Sequence, residues 1–340
     1  MTRRKFVRIA GAALAMVNLP IAAKLARAAS DEQTDQASAP NQSGGVTSND
    51  KFYLTTYGGT PLVDPAAWRL KISGLVENPL ELSYGDIRKM PPHKQELTLE
   101  CISNAPDGGS IGNAMWVGAK LKPILDRVRV KPEAKYVAMH AADNYYTGAP
   151  REEIMREENF LPYLMNGQAL PMTHGFPVRI FIPGKYGMKQ PKWITEIAFL
   201  PREFRGYWEE RGWSHTAWRK VNSGIFSPRP PDGLASYLGG SVDIHGPTDF
   251  YGWALAGPAG IKRVDVSLDE GSTWHPAEII DNRSPYVWTI WKYRFVPPQS
   301  GTSLFRVRAT DGNGVAQLLE DQQHGEGISS QARLTLKVLL

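Results

Sequence analysis

TLECISNAPDGGSIGNAMWVGAKLKPIL, residues 98–125, is the stretch on which the reading of this chain turns. Leu97, Leu99 and Cys101 alternate with Thr98 and Glu100, the period of two that predicts a strand. That strand delivers Cys101 into a loop of Ile102, Ser103, Asn104 and Ala105, followed by Gly108, Gly109 and Gly112. A cysteine at the junction of strand and small-residue loop suits a ligand at a pocket mouth. It suits equally a buried small hydrophobe, the commoner fate of a lone thiol. Cys101 is the sole cysteine, so an intramolecular disulfide is excluded and the thiol is a packed group, a nucleophile or a ligand. The stretch runs on into a helix expected over Leu121 to Val128, with Pro123 tolerated in its first turn.

Around this stretch lie 340 residues, 42% hydrophobic and 21% charged, enough apolar material for one large or two ordinary domains. The net charge of +5 is spread among acidic neighbours rather than gathered in runs, which excludes nucleic acid as a partner. A small positive excess favours anionic substrates or an acidic redox partner, or is simply a solvated surface.

The chain opens on Arg3-Arg4, then an apolar stretch from Ile9 to Ile21, then Ala26-Arg27-Ala28. The apolar part is shorter than the about 20 residues of a membrane span. Residues 1–28 therefore read as a twin-arginine signal peptide cleaved near Ala28, which makes the mature protein periplasmic; the alternative is an uncleaved amphipathic anchor. That export route implies a cofactor inserted before transport. Residues 29–49 are Ser, Gln, Asp, Asn and Gly with almost no large apolar side chain, and read as a disordered tether.

Downstream, Trp68 to Ile72 alternates like a strand, and a second helix is expected from Arg151 to Glu157 after Pro150. Pro177 to Pro183 is apolar and β-branched, a buried strand interrupted by Arg179. A buried arginine needs an anionic partner. From Asn222 the pattern becomes one of repeated strands: Val264, Val266 and Leu268 lead into Asp269-Glu270-Gly271, and Phe305, Val307 and Ala309 into Asp311-Gly312, as in a β-sandwich.

Three ordered segments carry a resemblance. Residues 98–125, with Cys-x-x-Asn and Trp-x-Gly-x-x-Leu, resemble the molybdenum-cysteine segment of the sulfite oxidase family. HGFPVRIFIPGKYGMKQPKWI, residues 174–194, resembles its pterin-binding strand and loop. AGPAGIKRVDVSLDEGSTW and RVRATDGNGVAQ, within residues 251–317, are similar to its dimerisation domain. The fold class implied is α+β: a sulfite-oxidase-type mixed α/β molybdopterin-binding domain over residues 50–220, then an immunoglobulin-like β-sandwich over 221–340.

The resemblance implies one molybdenum-molybdopterin per chain, with Cys101 as the thiolate ligand to molybdenum, a soft donor suited to a redox metal. It places His174, Arg179, Gln190 and Lys192 on the pterin and its phosphate, for which arginine offers a planar fork of donors and lysine a point charge. Asp143, Tyr53 and Leu54 fall at further cofactor positions, although Asp143 reads equally as a turn residue before Asn144 and Tyr53 as a core aromatic.

Sulfite oxidases carry Arg-x-His, an arginine after Cys-x-x-Asn, and a late tyrosine; this chain has Thr55 and Tyr57, Ala105 and Pro106, and Trp213. The anion pocket is replaced by Tyr57, Asn104, Trp116 and Trp213, of which Tyr57, Asn104 and Trp213 join Cys101 as the expected catalytic set. This implies oxygen-atom transfer on a small S-oxide, N-oxide or other organic substrate rather than sulfite. With no haem motif and no further cysteine, electrons pass to or from an external cytochrome or quinone-linked protein. A homodimer is implied by the second region. The rival readings are a sulfite dehydrogenase drawing on Arg211, Arg306 or Arg308, and a cofactor-free periplasmic binding module. The histidines His93, His140, His215, His245 and His275 lack metal-ligand spacing.

Overall fold

Among the described residues strands outnumber helices, at 42% against 11%. The computed structural model describes residues 45–230, 240–321 and 324–340. The expected signal peptide and the expected tether, up to residue 44, lie outside the described residues. At the far end of the expected tether the chain is already packed: Thr47 N donates to Asn113 O at 2.6 Å and Asn49 Nδ2 to Met165 O at 3.3 Å.

The first unit holds two sheets. One contains β1 (Arg69–Gly74), β2 (Leu80–Ser83), β5 (Tyr136–Ala141), β6 (Tyr146–Pro150) and β9 (Ile194–Leu200), in the order β2-β1-β9-β5-β6. Only β1 and β9 run parallel in it. The other contains β3 (Pro92–Glu100), β4 (Ile111–Lys120), β7 (Phe160–Met165) and β8 (Gln168–Ala169), in that order and antiparallel throughout. A core of Leu70, Ile72, Ile124, Leu125, Val137, Ile180, Ile197 and Phe199 draws on both sheets, the helices and the loops between.

The helices are short, which corrects the mixed α/β expectation toward a mostly β unit. Helix α1 (Tyr84–Lys89), not foreseen, is set by a capping box in which Asp86 N donates to Ser83 Oγ at 3.1 Å and Ser83 N to Asp86 Oδ2 at 3.0 Å. Helix α2 (Lys122–Val128) stands where expected, with proline in its first turn. Helix α3 (Arg151–Ile154) stops short of Glu157, because Asn159 Nδ2 takes the Glu153 and Ile154 carbonyls at 2.7 and 2.9 Å.

Residues 177–183 are buried but form no regular strand; only Phe181 bridges, to Phe160. Their donors go in turn to β7 and to the loop before β9: Arg179 N to Pro162 O, Ile180 N to Pro191 O and Phe181 N to Phe160 O. The alternation is intact rather than broken at Arg179. Val178, Ile180 and Ile182 face the main core, while Phe181 joins a second cluster with Phe52, Tyr53, Leu99 and Trp116. Arg179 lies over Phe181 and Trp116, on that same face.

The second unit pairs two sheets across one core. The first is β10 (Asn222–Ser227), β12 (Thr248–Leu255), β16 (Thr289–Phe295) and β15 (Glu278–Asp281). The second is β11 (Ser241–Ile244), β18 (Ala332–Val338), β17 (Gly301–Asp311), β13 (Ile261–Ser267) and β14 (His275–Pro276). Phe250 and Trp291 from one sheet meet Val264, Phe305 and Leu336 from the other. Ile111 at the start of β4 packs with Phe226, Trp253 and Trp288, joining this unit to the cysteine-bearing hairpin.

Candidate active site

Strand β3 ends one residue before Cys101, and β4 begins at Ile111, so residues 101–110 form the connecting loop. Cys101 N donates to Ser110 O at 2.9 Å and closes it. Within the loop Asn104 Oδ1 accepts from Ser110 N at 3.0 Å and Asn104 Nδ2 donates to Glu100 at 3.1 Å. A Cβ on Gly108 would stand 2.6 Å from Asn104 Oδ1, so the turn needs glycine there. The Cys101 thiol is half-buried, packs against the Phe52, Tyr53 and Trp116 cluster, and lies 3.2 Å from Ser103 Oγ.

Three basic side chains adjoin the same cluster: His174 meets the Phe52 ring edge-on, Arg179 lies over Trp116, and Lys192 acts on both. His174 Nε2 donates to Asn49 O at 3.0 Å, and burial, then Arg179, lower its pKa to about 4, so the ring is neutral at physiological pH. Arg179 is buried over Trp116 and Phe181, donating to His174 O at 3.1 Å and Gln190 O at 3.3 Å. Burial lowers its pKa to about 10. Lys192 donates to Thr55 O at 3.0 Å and Thr173 O at 2.9 Å, and burial, then Arg179, lower its pKa to about 7.

Among the described residues no carboxylate forms an ion pair with any of the three. Asp143, whose own carboxyl is pushed up by burial, acts on Lys192 only at longer range. Cation–π contacts of about 0.5–2 kcal/mol offset part of a desolvation cost of several kcal/mol per ion. The remainder calls for an anion. Arg179 Nε and Thr55 Oγ1 are buried without a partner, as donors waiting for one would be.

A second group of aromatic side chains reaches the cysteine loop at Ile102. Tyr57 is 40% exposed, with ring centroids 4.4 Å from Tyr207 and 5.9 Å from Tyr145. Tyr207 stacks edge-on to Trp208 at 4.9 Å, and Trp208 to Trp213 at 6.3 Å. Tyr145 is pinned by its hydroxyl, which donates to Met188 O at 2.6 Å, and Trp208 and Trp213 pack on Ile102 and Met188. The wall is held from behind by the buried ion pair of Lys189 with Glu209, whose carboxylate also accepts from Thr147 Oγ1 at 2.6 Å.

The expected site residues are thus placed unequally. Cys101, His174, Arg179, Lys192 and Tyr53 fall around one centre, Leu54 is half-buried next to Tyr53, and Tyr57 and Trp213 belong to the aromatic wall. Asp143 forms a turn, accepting from Tyr145 N at 3.1 Å. Three of the expected residues are engaged by the protein itself. Asn104 is drawn into the loop's own bonds. Gln190 accepts from Ile182 N at 3.2 Å and donates to Lys185 O at 2.8 Å, so it braces the Arg179 segment rather than facing outward. Trp116 is wholly buried beneath Arg179 and donates to Leu97 O. Tyr145, Tyr207 and Trp208 were missed; the only signal was the density of aromatics around Trp208 and Trp213.

A solitary accessible thiolate donor beside a buried cradle for an anion defines a protein that holds a metal through an anionic organic group. Among the described residues no three of His, Cys, Asp and Glu gather into a metal cage, consistent with a single protein ligand. Residues 57–208 match the oxidoreductase molybdopterin binding domain family, and residues 214–318 the Mo-co oxidoreductase dimerisation domain family. Sulfite oxidase of Gallus gallus is 29% identical over 306 residues, which cover 76% of this chain and 65% of that protein. Mitochondrial sulfite oxidase of Mus musculus is 31% identical, over 75% of this chain and 54% of its own length. The uncharacterized oxidoreductase YuiH of Bacillus subtilis is 33% identical over 53% of this chain and 89% of its own length. The sulfane dehydrogenase SoxCD of Paracoccus pantotrophus superposes with a TM-score of 0.73 at 22% identity, covering 97% of this chain and 95% of that one, a likeness of fold. The chain spans less than two thirds of the length of the animal sulfite oxidases it matches.

This chain belongs to the sulfite oxidase family of molybdopterin-dependent oxidoreductases. Its cofactor is molybdenum-molybdopterin, and the residues present fit that group: a soft sulfur donor at Cys101, and Arg179, Lys192 and Thr55 with polar capacity that the protein leaves unmatched.

Proposed function

We propose that this chain is a periplasmic oxidoreductase that reduces a small neutral S-oxide or N-oxide to the sulfide or amine and water, taking two electrons from an external cytochrome or quinone-linked protein and two protons from solvent. Cys101 would hold the metal, and His174, Arg179 and Lys192 would meet the pterin and its phosphate. When bound, the molybdenum-molybdopterin group supplies the two-electron change and takes the oxygen atom.

The observation that carries the substrate reading is the continuous set of ring contacts through Tyr145, Tyr57, Tyr207, Trp208 and Trp213, which reaches Ile102 of the cysteine loop. Such a wall accepts apolar substituents, and Arg211, which stacks on it, is half-exposed. Twin-arginine export with cleavage near Ala28, an immunoglobulin-like second unit and a homodimer complete the reading, the last supported by the match to the dimerisation domain family.

One observation favours a second reading, sulfite oxidation. Arg211 lies 3.6 Å above the Tyr207 ring, beside Tyr57, and is half-exposed. Arg308 is engaged with Asp265 and Trp274 in the second unit, and the half-exposed Arg211 is the arginine of the rival set that touches the wall. The test is metal and pterin analysis of protein purified from the periplasm, followed by reduction of dimethyl sulfoxide and trimethylamine N-oxide with reduced benzyl viologen, and oxidation of sulfite with ferricyanide. Molybdenum and pterin near one per chain with oxide reduction supports the proposal. Sulfite turnover at micromolar KM without oxide reduction selects the second reading, and absence of both metal and pterin from folded, exported protein overturns both.

A further inference from the structure

After β17 the chain crosses back onto the first unit before entering β18, and residues 325–329 lie over the turn that carries Trp213. Gly325 O accepts from Ser214 N at 2.8 Å, and Ser214 Oγ donates to the Glu326 carboxylate while accepting from Ala217 N at 2.9 Å. The crossing segment lies flush because it has no side chain at two places. A Cβ on Gly325 would stand 2.6 Å from Gly212 O, and one on Gly327, at φ 87°, would stand 2.6 Å from the Tyr186 ring. Its ends are fixed by Lys220 to Asp321 at 2.7 Å and by Ser329 Oγ to Val221 O.

The turn beneath is held by its own backbone bonds, Arg211 N to Trp208 O at 2.9 Å and Gly212 N to Glu209 O at 3.2 Å, which leave the Trp213 side chain free of hydrogen-bond restraint within the turn. Gly212 is left-handed at φ 89°, Trp213 N donates to Trp208 O at 3.1 Å, and the Trp213 ring is only half-buried against Ile102 and Met188. Ser214, by contrast, is 2% exposed and anchored twice by the second unit, through its N–H to Gly325 O and through its hydroxyl to the Glu326 carboxylate. We propose that Glu326 is a positioning residue: through Ser214 it sets where the Trp213 indole stands beside the Cys101 loop. The bearing on substrate rests on the reading of Trp213 as part of the substrate wall. The second unit then shapes the site of the first without contributing a group to the reaction.

The test uses the full holoprotein labelled with 5-fluorotryptophan. The Trp213 line among the ten tryptophan lines is assigned by its loss in Trp213→Phe. Glu326→Ala moves and broadens that line while Trp253 and Trp291, in the second unit, hold theirs. Glu326→Gln, which keeps an acceptor oxygen for Ser214, leaves the line in place, a rescue that a general loss of packing would not produce. In parallel, KM for dimethyl sulfoxide with reduced benzyl viologen rises about fivefold at unchanged kcat in Glu326→Ala, the factor an ordinary hydrogen bond sets. An unmoved Trp213 line in Glu326→Ala overturns the proposal. If the line moves while KM holds, positioning stands and the reading of Trp213 as substrate wall is what fails.

Discussion

Arg219 Nε stands 3.5 Å from a carboxylate oxygen of Glu100, the residue before Cys101, and both side chains are sealed from water at 2% and 0% exposure. The other carboxylate oxygen accepts from Asn104 Nδ2 at 3.1 Å and Asn222 Nδ2 at 2.8 Å. Burial raises the Glu100 carboxyl and Arg219 pulls it back down. The acid thereby ties the cysteine loop to the linker between the two units.

Removing one partner of such a pair costs more than removing both. Arg219→Met leaves a buried carboxylate without its counter-charge, and unfolding free energy falls by about 3–5 kcal/mol. The double variant Glu100→Gln with Arg219→Met recovers most of that loss. Urea unfolding of the four proteins checks it, and losses that simply add would show that the pair does not act as a unit.

The two depressed bases make a pH prediction for cofactor-free protein. Lys192 titrates near 7 in the folded state against about 10.4 when unfolded. Between these values the unfolded chain binds the extra proton, so stability rises with pH across that window. His174, near 4 when folded against about 6.5 unfolded, adds a rise between 4 and 6.5. Thermal unfolding from pH 7 to 9.5 should climb more steeply in wild type than in Lys192→Met, and equal slopes would refute the assignment.

Arg179 should matter more to the cofactor than to the fold. Arg179→Met removes a buried cation that no carboxylate balances, so the melting temperature of cofactor-free protein holds or rises, while bound pterin falls at least about tenfold for the loss of a charge-assisted hydrogen bond. Fluorescence of the released, oxidised pterin measures it. Full pterin content in this variant would take Arg179 out of the cradle.

Tyr57 is the most exposed member of the aromatic wall. Tyr57→Ala should change unfolding free energy by less than about 1 kcal/mol, since it vacates mainly edge contacts. It should raise KM for dimethyl sulfoxide several-fold with molybdenum content unchanged. A kinetically silent variant would place the substrate elsewhere.

What could be read beforehand was whatever lies contiguous in the chain. Cys101 and the basic trio sit in two short motifs, and local chemistry explains them. Asn104 and Gln190 sit in the same motifs, and their bonds to the chain's own groups could not be foreseen, because spacing reports that a polar group faces inward without saying whether its partner is a cofactor or the chain's own amides. Tyr57 and Trp213 of the aromatic wall were expected, while Tyr145, Tyr207 and Trp208 escaped notice because they lie outside the motifs and far from Tyr57 in sequence. The short helix at Tyr84–Lys89 had its signal in Ser83 and Asp86, and was passed over for want of an apolar period.

The alternation through residues 178–182 has a further consequence for how this protein can vary. Val178, Ile180 and Ile182 serve one core while Arg179 and Phe181 serve the other, and prolines stand at both ends. Substitutions that keep polarity and volume can accumulate there singly, but gaining or losing one residue would turn the guanidinium into the hydrocarbon interior and an isoleucine toward the Phe52 and Trp116 cluster. The segment can drift in spelling, never in length.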